Sequence, residues 1–446
     1  MARQKTLVQK AKERARQTMA SIIERGKALF SSLPDVRKES PNLRYEIADA
    51  ALSAFSVFFL QFPSFLAHQR KMDKREGRNN AGSLFGVHKI PTDNRIRDLL
   101  DPVEPKEIFP LIAGIGEDLY RAGHLDSYRS PFGFLFALDG TTTFSSEKIS
   151  CPSCSTKTGA DGVTHYFHSA VTPVLVAPGQ GRVVALPPEF VVPQDGRKKQ
   201  DCEIVAASRW LDAWGPRYAP WKGTILGDDL YSREPFCRKV LEAGFDFLFV
   251  AKPSSHKILT EWLKGSATTV VRTRTQGTRK VRTLTETYRF MNGVPLKDGD
   301  GALRVNWFEI TVTSDSGTVL FKNAWVTSHP ITKNNLPSLA DAARSRWKIE
   351  NQNNNVLKTK GYNLEHNFGH GRQFLSNTLA TLNILSFLLH TALEWWDEDY
   401  RVVRSFGTRQ EFFQEIRAFT SRFYFESWGQ LMQFLLDDCA PVPDSG

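Results

Sequence analysis

The sequence predicts an α/β protein in which helices flank a mixed β-sheet, with an all-α region before the sheet and a helical region after it. Three observations support this fold class. Apolar residues recur at helical spacing up to about residue 128. From residue 132 the apolar runs become short and continuous, which is typical of strands buried on both faces. A helical pattern resumes near residue 336 and continues to about residue 435.

The composition is that of a globular protein with an excess of basic residues. The chain has 446 residues, 41% of them hydrophobic, which suits roughly two to four structural units with buried cores. The formal net charge is +10, and residues 1–27 alone hold eight Lys or Arg against two Glu. This excess favours a polyanionic partner, of which nucleic acid is the simplest, although a merely soluble basic protein has the same composition.

The number of cysteines and the apolar stretches indicate in which cellular compartment the protein is expected. The five cysteines are odd in number and sparse, which argues against a disulfide framework. No signal peptide is evident at the N-terminus. Two apolar stretches, 50–67 and 374–393, contain too many polar residues for comfortable membrane spans. We therefore predict that both are buried core helices, that the protein has no membrane partner, and that it is cytoplasmic.

The N-terminal region is predicted to consist of helices. A basic helix is expected over residues 1–30 and an apolar helix over residues 42–69. A further helix is expected over residues 90–100, where Thr92 or Asp93 has the residue type and position of an N-cap.

The predicted elements after residue 130 follow the order β-β-β-α-β-α-β. The strands are 132–138, 141–148, 168–177, 223–226 and 245–251, and the helices are 199–214 and 232–243. Residues 270–328 have the alternation of a β-rich insertion, with turn signals between its strands. A helix over residues 336–360 is predicted to follow the insertion.

Three carboxylates stand at the ends of predicted strands and on the helix that follows the insertion. Asp139 follows the first strand, Asp228 follows the fourth, and Glu350 lies on the helix. Carboxylates on rigid elements are what a pair of Mg²⁺ ions roughly 3.5–4 Å apart requires for phosphodiester cleavage. Strand order and carboxylate position together predict an RNase H-like core with a mixed five-stranded sheet. Asp229 competes with Asp228, and since a strand alternates its faces, one of the two is expected to point at the metals.

The predicted helix around Glu350 carries polar groups at a spacing of four residues. Arg346, Glu350, Asn354 and Lys358 fall on one face of a regular helix. Basic residues on either side of a metal-binding carboxylate suit a site that grips DNA phosphates. The alternative is a ladder of salt bridges on a solvated helix surface.

A second metal site is predicted between the second and third strands. Cys151, Cys154, His165 and His168 form the pattern C-x2-C-x10-H-x2-H, whose thiolates and imidazoles are ligands of tetrahedral Zn²⁺. A regular strand through the two histidines would point them to opposite sides, which counts against both binding one ion. The alternatives are two buried thiols with unrelated histidines, or a redox pair.

Polar residues are also dense over residues 365–372, which include His366 and His370. The commoner explanation for such residues is a loop whose histidines are satisfied by local hydrogen bonds. The alternative is a loop near the active site or in contact with DNA.

The motifs around the three carboxylates together resemble the DDE-type transposases of bacterial insertion sequences. The sequences LDGT at 138–141 and LGDDLY at 226–231 match the first two motifs of this family. Arg346 and Glu350 match the signature Y-x2-R-x3-E-x6-K of the group that carries a β-rich insertion before the glutamate. Ala343 stands at the tyrosine position, and the lysine falls one residue late, at Lys358. The resemblance covers about residues 130–395.

The resemblance implies a DNA transposase that cuts transposon ends and joins the 3′-hydroxyl to target DNA. It implies that Asp139, Asp228 and Glu350 hold two Mg²⁺ or Mn²⁺ ions, and it selects Asp228 over Asp229 because the family has an aromatic residue three positions later. Arg346, Lys358 and Lys360 would position phosphates. The implied partners are terminal inverted repeats, target DNA and a second copy of the chain, in a bacterial nucleoid.

Two alternatives stay open: a two-metal nuclease without strand transfer, and a zinc-containing DNA-binding regulator without catalysis. The predicted organisation is a helical DNA-binding region over 1–128 and a catalytic core over 129–268 and 329–395. The core includes a zinc-binding excursion over 150–169. The β-rich insertion spans 269–328, and a helical C-terminal region spans 396–446.

Overall fold

The computed structural model describes residues 19–37, 43–193, 201–265, 269–276 and 283–438. The predicted helix over residues 1–30 therefore lies partly outside the described residues. Within these described ranges six α-helices precede the first strand, and Thr92 caps the fifth of them by accepting a hydrogen bond from the Arg95 amide, as expected. The helices are α1 (Met19–Ser31), α2 (Ile47–Phe59), α3 (Phe65–Met72), α4 (Arg75–Phe85), α5 (Asp93–Leu100) and α6 (Phe109–Arg121).

The main sheet is mixed, which confirms the predicted α/β class, and it contains nine strands. Their order across the sheet is β10-β11-β12-β13-β9-β8-β1-β5-β6. Neighbouring strands β1, β8 and β9 run parallel, and the other pairs are antiparallel. The strands are β1 (Phe134–Ala137), β5 (Val174–Val176), β6 (Val184–Ala185), β8 (Gly223–Gly227), β9 (Asp246–Val250), β10 (Thr269–Gln276), β11 (Thr283–Pro295), β12 (Arg304–Thr313) and β13 (Val319–Thr327).

The prediction of a five-stranded sheet is wrong because the β-rich insertion joins the same sheet. Strand β13 pairs with β9 in antiparallel register, with Trp325 opposite Val250. An edge strand exposes a row of unpaired backbone groups, and the insertion satisfies those of β9. The insertion thereby lengthens the sheet by four strands.

The second predicted strand and the first part of the third form a different sheet, whereas the rest of the third predicted strand is β5 of the main sheet. Residues around 141–148 and 168–171 are strands, but they pair with each other and with a third strand away from β1. On that side β1 pairs with β5, and β5 in turn pairs with β6. This smaller sheet contains β2 (Gly140–Ser146), β3 (Ser155–Thr158), β4 (Thr164–Val171) and β7 (Glu189–Phe190).

Helices alternate with the core strands and follow the insertion. The predicted helix over 336–360 is interrupted after Arg344 and resumes with a π-helical turn, Ile349–Asn354, that contains Glu350. The remaining helices are α7 (Glu203–Tyr218), α8 (Glu234–Glu242), α9 (Lys257–Gly265), α10 (Leu336–Arg344), α11 (Asn355–Thr359), α12 (Leu375–Trp396), α13 (Glu398–Ser405), α14 (Arg409–Thr420) and α15 (Trp428–Asp438).

The two apolar stretches are largely buried and helical, as predicted, but the single helix expected over residues 42–69 is wrong, because the chain leaves the helix at residues 60–64 between α2 and α3. All residues of α2 are buried, and α12 is buried along nearly its whole length. Helix α12 packs against α2, α6 and α13 and against strand β6, so N-terminal and C-terminal helices meet around it. Among the described residues, no helix has both the length and the apolar character that crossing a membrane would need.

The position of α12 predicts a large cost for shortening one of its side chains. Leu385 is fully buried, so Leu385→Ala is expected to lower the free energy of unfolding by about 2–5 kcal/mol through the cavity it leaves. Leu320→Ala is the matched control, because Leu320 is 55% exposed on β13 and should change stability by less than about 0.5 kcal/mol. Urea unfolding followed by tryptophan fluorescence measures both, and equal midpoints for the two variants would contradict this packing.

Candidate functional site

Parallel pairing of β1 and β8 brings two aspartates to one edge of the sheet. Ala137 lies opposite Leu226 in the register, and both strands end within two residues of an aspartate. Asp139 follows β1, and Asp228 follows β8 directly. Carboxyl ends of parallel strands meet at the same edge, so both aspartates leave the sheet side by side.

Arg346 connects Asp139 with Glu350. Its Nη2 lies 2.5 Å from the Glu350 Oε1, and its Nη1 lies 3.8 Å from the Asp139 Oδ1. The Arg346 side chain is 17% exposed, whereas that of Glu350 is 48% exposed. The arginine is therefore a half-buried cation that forms the i,i+4 ion pair of the helix surface with Glu350 and also faces Asp139.

Asn354, at the end of the π-helical turn, holds the Asp139 carboxylate. Its Nδ2 donates to the Asp139 Oδ2 at 3.0 Å, while its Oδ1 accepts from the Thr172 hydroxyl at 2.8 Å. Asn353 donates to the same Oδ1 at 2.9 Å, so the amide of Asn354 is oriented from two sides. This network determines which way the Asp139 carboxylate faces.

A fourth carboxylate, Glu203, was missed by sequence reasoning. It is the first residue of α7, and its Oε1 accepts the Gly140 amide at 3.0 Å and the Tyr231 hydroxyl at 2.7 Å. A Cβ on Gly140 would lie 2.3 Å from the Glu203 Oε2, so the chain after Asp139 depends on a glycine there. No motif marked Glu203, because its role depends on where α7 begins relative to β1 and β8.

Burial and neighbouring charges shift the pKa of the Asp139 carboxyl group. Burial is the main cause that raises the pKa of Asp139 to about 7 from its ordinary value of 3.8. Arg346 opposes this rise in the pKa, and the carboxylates of Glu203, Glu350 and Asp228 add to it. The described residues therefore gather four carboxylates against one guanidinium.

The two adjacent aspartates after β8 have different surroundings. Asp229 is buried, and its Oδ1 accepts the Lys252 amide at 2.6 Å and lies 3.7 Å from the His256 Nε2. Asp228 is half-buried and accepts the Leu230 amide at 2.8 Å. Asp228 is also close enough to raise the pKa of Asp139.

The predicted phosphate contacts lie on the segment after Glu350. Lys358 pairs with Glu365, with 2.7 Å between Nζ and Oε1, and Lys360 is exposed. Lys348 has another role, because its Nζ donates to the carbonyl oxygens of Ala177, at 2.7 Å, and Gln180. These bonds join the segment before Glu350 to the loop that follows β5.

A cluster of two cysteines and two histidines lies on the smaller sheet. The four residues are Cys151, Cys154, His168 and His370, and their ligand atoms all lie within 4.8 Å of one another. The prediction that His165 is a ligand is wrong. Its Nδ1 lies 4.0 Å from the Glu147 Oε1, and its side chain is 42% exposed. His165 and His168 are three residues apart on β4 and therefore point to opposite faces of the strand.

The fourth position of the cluster belongs to His370, which comes from the polar stretch 365–372. Its Nε2 lies 3.4 Å from the Cys154 sulfur, although 216 residues separate the two in the chain. The density of polar groups in that stretch was a signal of function. Nothing in local spacing could connect it with the cysteines. A scan of protein-family models and a search of curated proteins found no match to this chain.

The raised pKa of Asp139 gives a prediction about stability in metal-free buffer. Above a pH of about 7 the folded protein bears the full cost of the Asp139 charge, and this cost is lost as the pH falls towards 3.8. With EDTA at pH 8, Asp139→Asn should raise the free energy of unfolding by roughly 1–4 kcal/mol, at about 1.4 kcal/mol per pKa unit.

Urea unfolding between pH 8 and 5 measures this effect. The wild type should gain stability relative to Asp139→Asn as the pH falls. Glu242→Gln, at an exposed position on α8, is the control and should follow the wild type. Parallel curves for wild type and Asp139→Asn at all pH values would contradict the prediction.

Proposed function

We propose that this chain is a DNA transposase whose catalytic core is RNase H-like. The observation that carries the proposal is the arrangement of three carboxylates around Asp139. Asp228 comes from the adjacent parallel strand and is close enough to raise the pKa of Asp139, and Glu350 comes from a helical segment linked to Asp139 through Arg346. The strand order β6-β5-β1-β8-β9, with three parallel strands, supports the RNase H-like assignment of this part of the sheet. The insertion before Glu350 supports the insertion-sequence group that the motifs resemble.

The residues suit hard divalent cations. The three proposed ligands, Asp139, Asp228 and Glu350, offer carboxylate oxygens, which Mg²⁺ and Mn²⁺ prefer. The mutual repulsion of these carboxylates helps to raise the pKa of Asp139, and it is what a bound cation would relieve. Two bound ions would supply an activated water and would stabilise the entering and leaving oxygens of a phosphodiester.

The chain's own residues orient the carboxylates. Asn354 directs the Asp139 carboxylate, and Glu203 holds the Gly140 amide next to it. Arg346 contacts both Asp139 and Glu350, so its guanidinium is placed to contact a DNA phosphate that approaches these carboxylates. Lys358 and Lys360 extend the basic surface along the same segment.

The proposed partners are double-stranded DNA and a second copy of the chain. The net charge of +10 supports the DNA partner. Six of the eight basic residues within positions 1–27 lie in residues 1–18, outside the described residues, and we propose that this segment contacts terminal repeats. The homodimer on paired ends and the bacterial nucleoid rest on the resemblance alone.

The experiment compares wild type with Glu350→Gln on labelled duplexes taken from both sides of the gene, with Mg²⁺ or Mn²⁺. The wild type should cut the strand and join the cut end to a plasmid. Glu350→Gln should reduce both steps to background, because it removes a ligand charge at the metals. Glu398→Gln is the matched control, since its side chain is 80% exposed on α13 and should retain full activity.

The possible results separate the alternatives. Cleavage without joining would favour the nuclease. Metal-independent binding with no cleavage by either protein would favour the DNA-binding regulator. Equal cleavage by wild type and Glu350→Gln would remove the carboxylate triad from the mechanism.

A further inference from the structure

We propose that Cys151, Cys154, His168 and His370 bind one structural Zn²⁺ ion that joins the smaller sheet to the loop before α12. This site is separate from the carboxylates, and it stands whether or not the chain is a transposase. The ligands come from two segments that are far apart in sequence, so the ion would act as a cross-link within the fold.

The separations among the ligand atoms of Cys151, Cys154 and His168, and that between Cys154 and His370, match a tetrahedral zinc site. The two sulfurs lie 3.8 Å apart, and the His168 Nε2 lies 3.5 Å from each of them. The His370 Nε2 lies 3.4 Å from the Cys154 sulfur. Zinc bonds of about 2.3 Å to sulfur and 2.0–2.1 Å to nitrogen in a tetrahedron require separations of about 3.8 Å between sulfurs and about 3.5 Å between sulfur and nitrogen.

Local structure positions the side chains of the cluster. Cys151 and Cys154 lie in a turn in which the Cys154 amide donates to the Cys151 carbonyl at 3.1 Å and the Cys151 amide donates to the Cys154 sulfur at 3.4 Å. His168 lies on β4 opposite Phe144. The Phe144 ring lies 4.3 Å from the His370 ring and therefore covers the cluster.

The chemistry of the cluster favours zinc over a disulfide or a set of buried thiols. A disulfide requires sulfurs about 2.05 Å apart, well inside the 3.8 Å observed here. Both histidines direct Nε2 at the sulfurs, His168 at both of them and His370 at that of Cys154. Two sulfur and two nitrogen ligands with no oxygen are a set that binds Zn²⁺ and not Mg²⁺.

Because of the position of the cluster, a bound ion would connect two segments of the chain that lead to the carboxylates. The smaller sheet begins at Gly140, directly after Asp139, and His370 follows the segment that carries Glu350. An ion at this cluster would hold both segments together on the side of the molecule where α12 begins. Removal of the metal should therefore loosen the chain on either side of the carboxylates.

The first test is the zinc content of the full-length chain, purified under reducing conditions and measured by mass spectrometry of the metal. The wild type should retain about one zinc per chain after dialysis, as structural sites bind tightly. His370→Ala and Cys154→Ser should lose most of it, and His370→Cys should retain it, because a third thiolate completes a tetrahedral set. His165→Ala is the matched control and should keep the metal.

The second test uses the wild type alone and does not depend on whether a variant folds. Cys202 is exposed and should react with an alkylating reagent whether or not a chelator is present. Cys151 and Cys154 should be protected until a chelator removes the metal, and the chelator should lower the thermal midpoint.

Zinc loss in His165→Ala with retention in His370→Ala would overturn the proposal. A disulfide between Cys151 and Cys154, or a metal-free wild type with freely reacting thiols, would also overturn it.

Discussion

Charge crowding at the edge where β1 and β8 end is the constraint on which the site depends. Parallel pairing brings Asp139 and Asp228 together, and the fold adds Glu350 and Glu203 from other segments. Such an arrangement is costly in a half-buried place, and Arg346 offsets part of the cost. Four carboxylates around one guanidinium leave an excess of negative charge at this edge of the sheet, and this excess links the electrostatics of the fold to the function we propose.

The π-helical turn at Ile349–Asn354 positions two side chains next to these carboxylates. Turns of this kind break the regular hydrogen-bond ladder and are frequent at functional sites. Here the turn places Glu350 beside Arg346 and Asn354 beside Asp139, so one short segment supplies an acid and the amide that orients another acid. Lys348 holds the same segment against the loop after β5 through two carbonyl oxygens. Rigid support of this kind is what a site with precise ligand positions needs.

Much of the fold follows from patterns within short stretches of sequence. The strand before Asp139, the strand before Asp228, the Thr92 cap and the two buried apolar helices were all predicted from local periodicity and residue type. Sheet membership was not, because pairing joins residues far apart in the chain. The smaller sheet and the nine-stranded main sheet both result from backbone pairing that hydrophobic alternation does not specify.

The sequence by itself determined which residue types carry chemistry: acids after buried strands, a C-x2-C pair, and polar residues dense near His370. The tertiary structure decided which of them meet. It placed His370 rather than His165 at the cysteines, added Glu203 to the acids, and gave Asp229 a separate partner in His256. The physical reason is that strand alternation and helix periodicity act over a few residues. The meeting of ligands 216 residues apart depends on how whole sheets and helices pack.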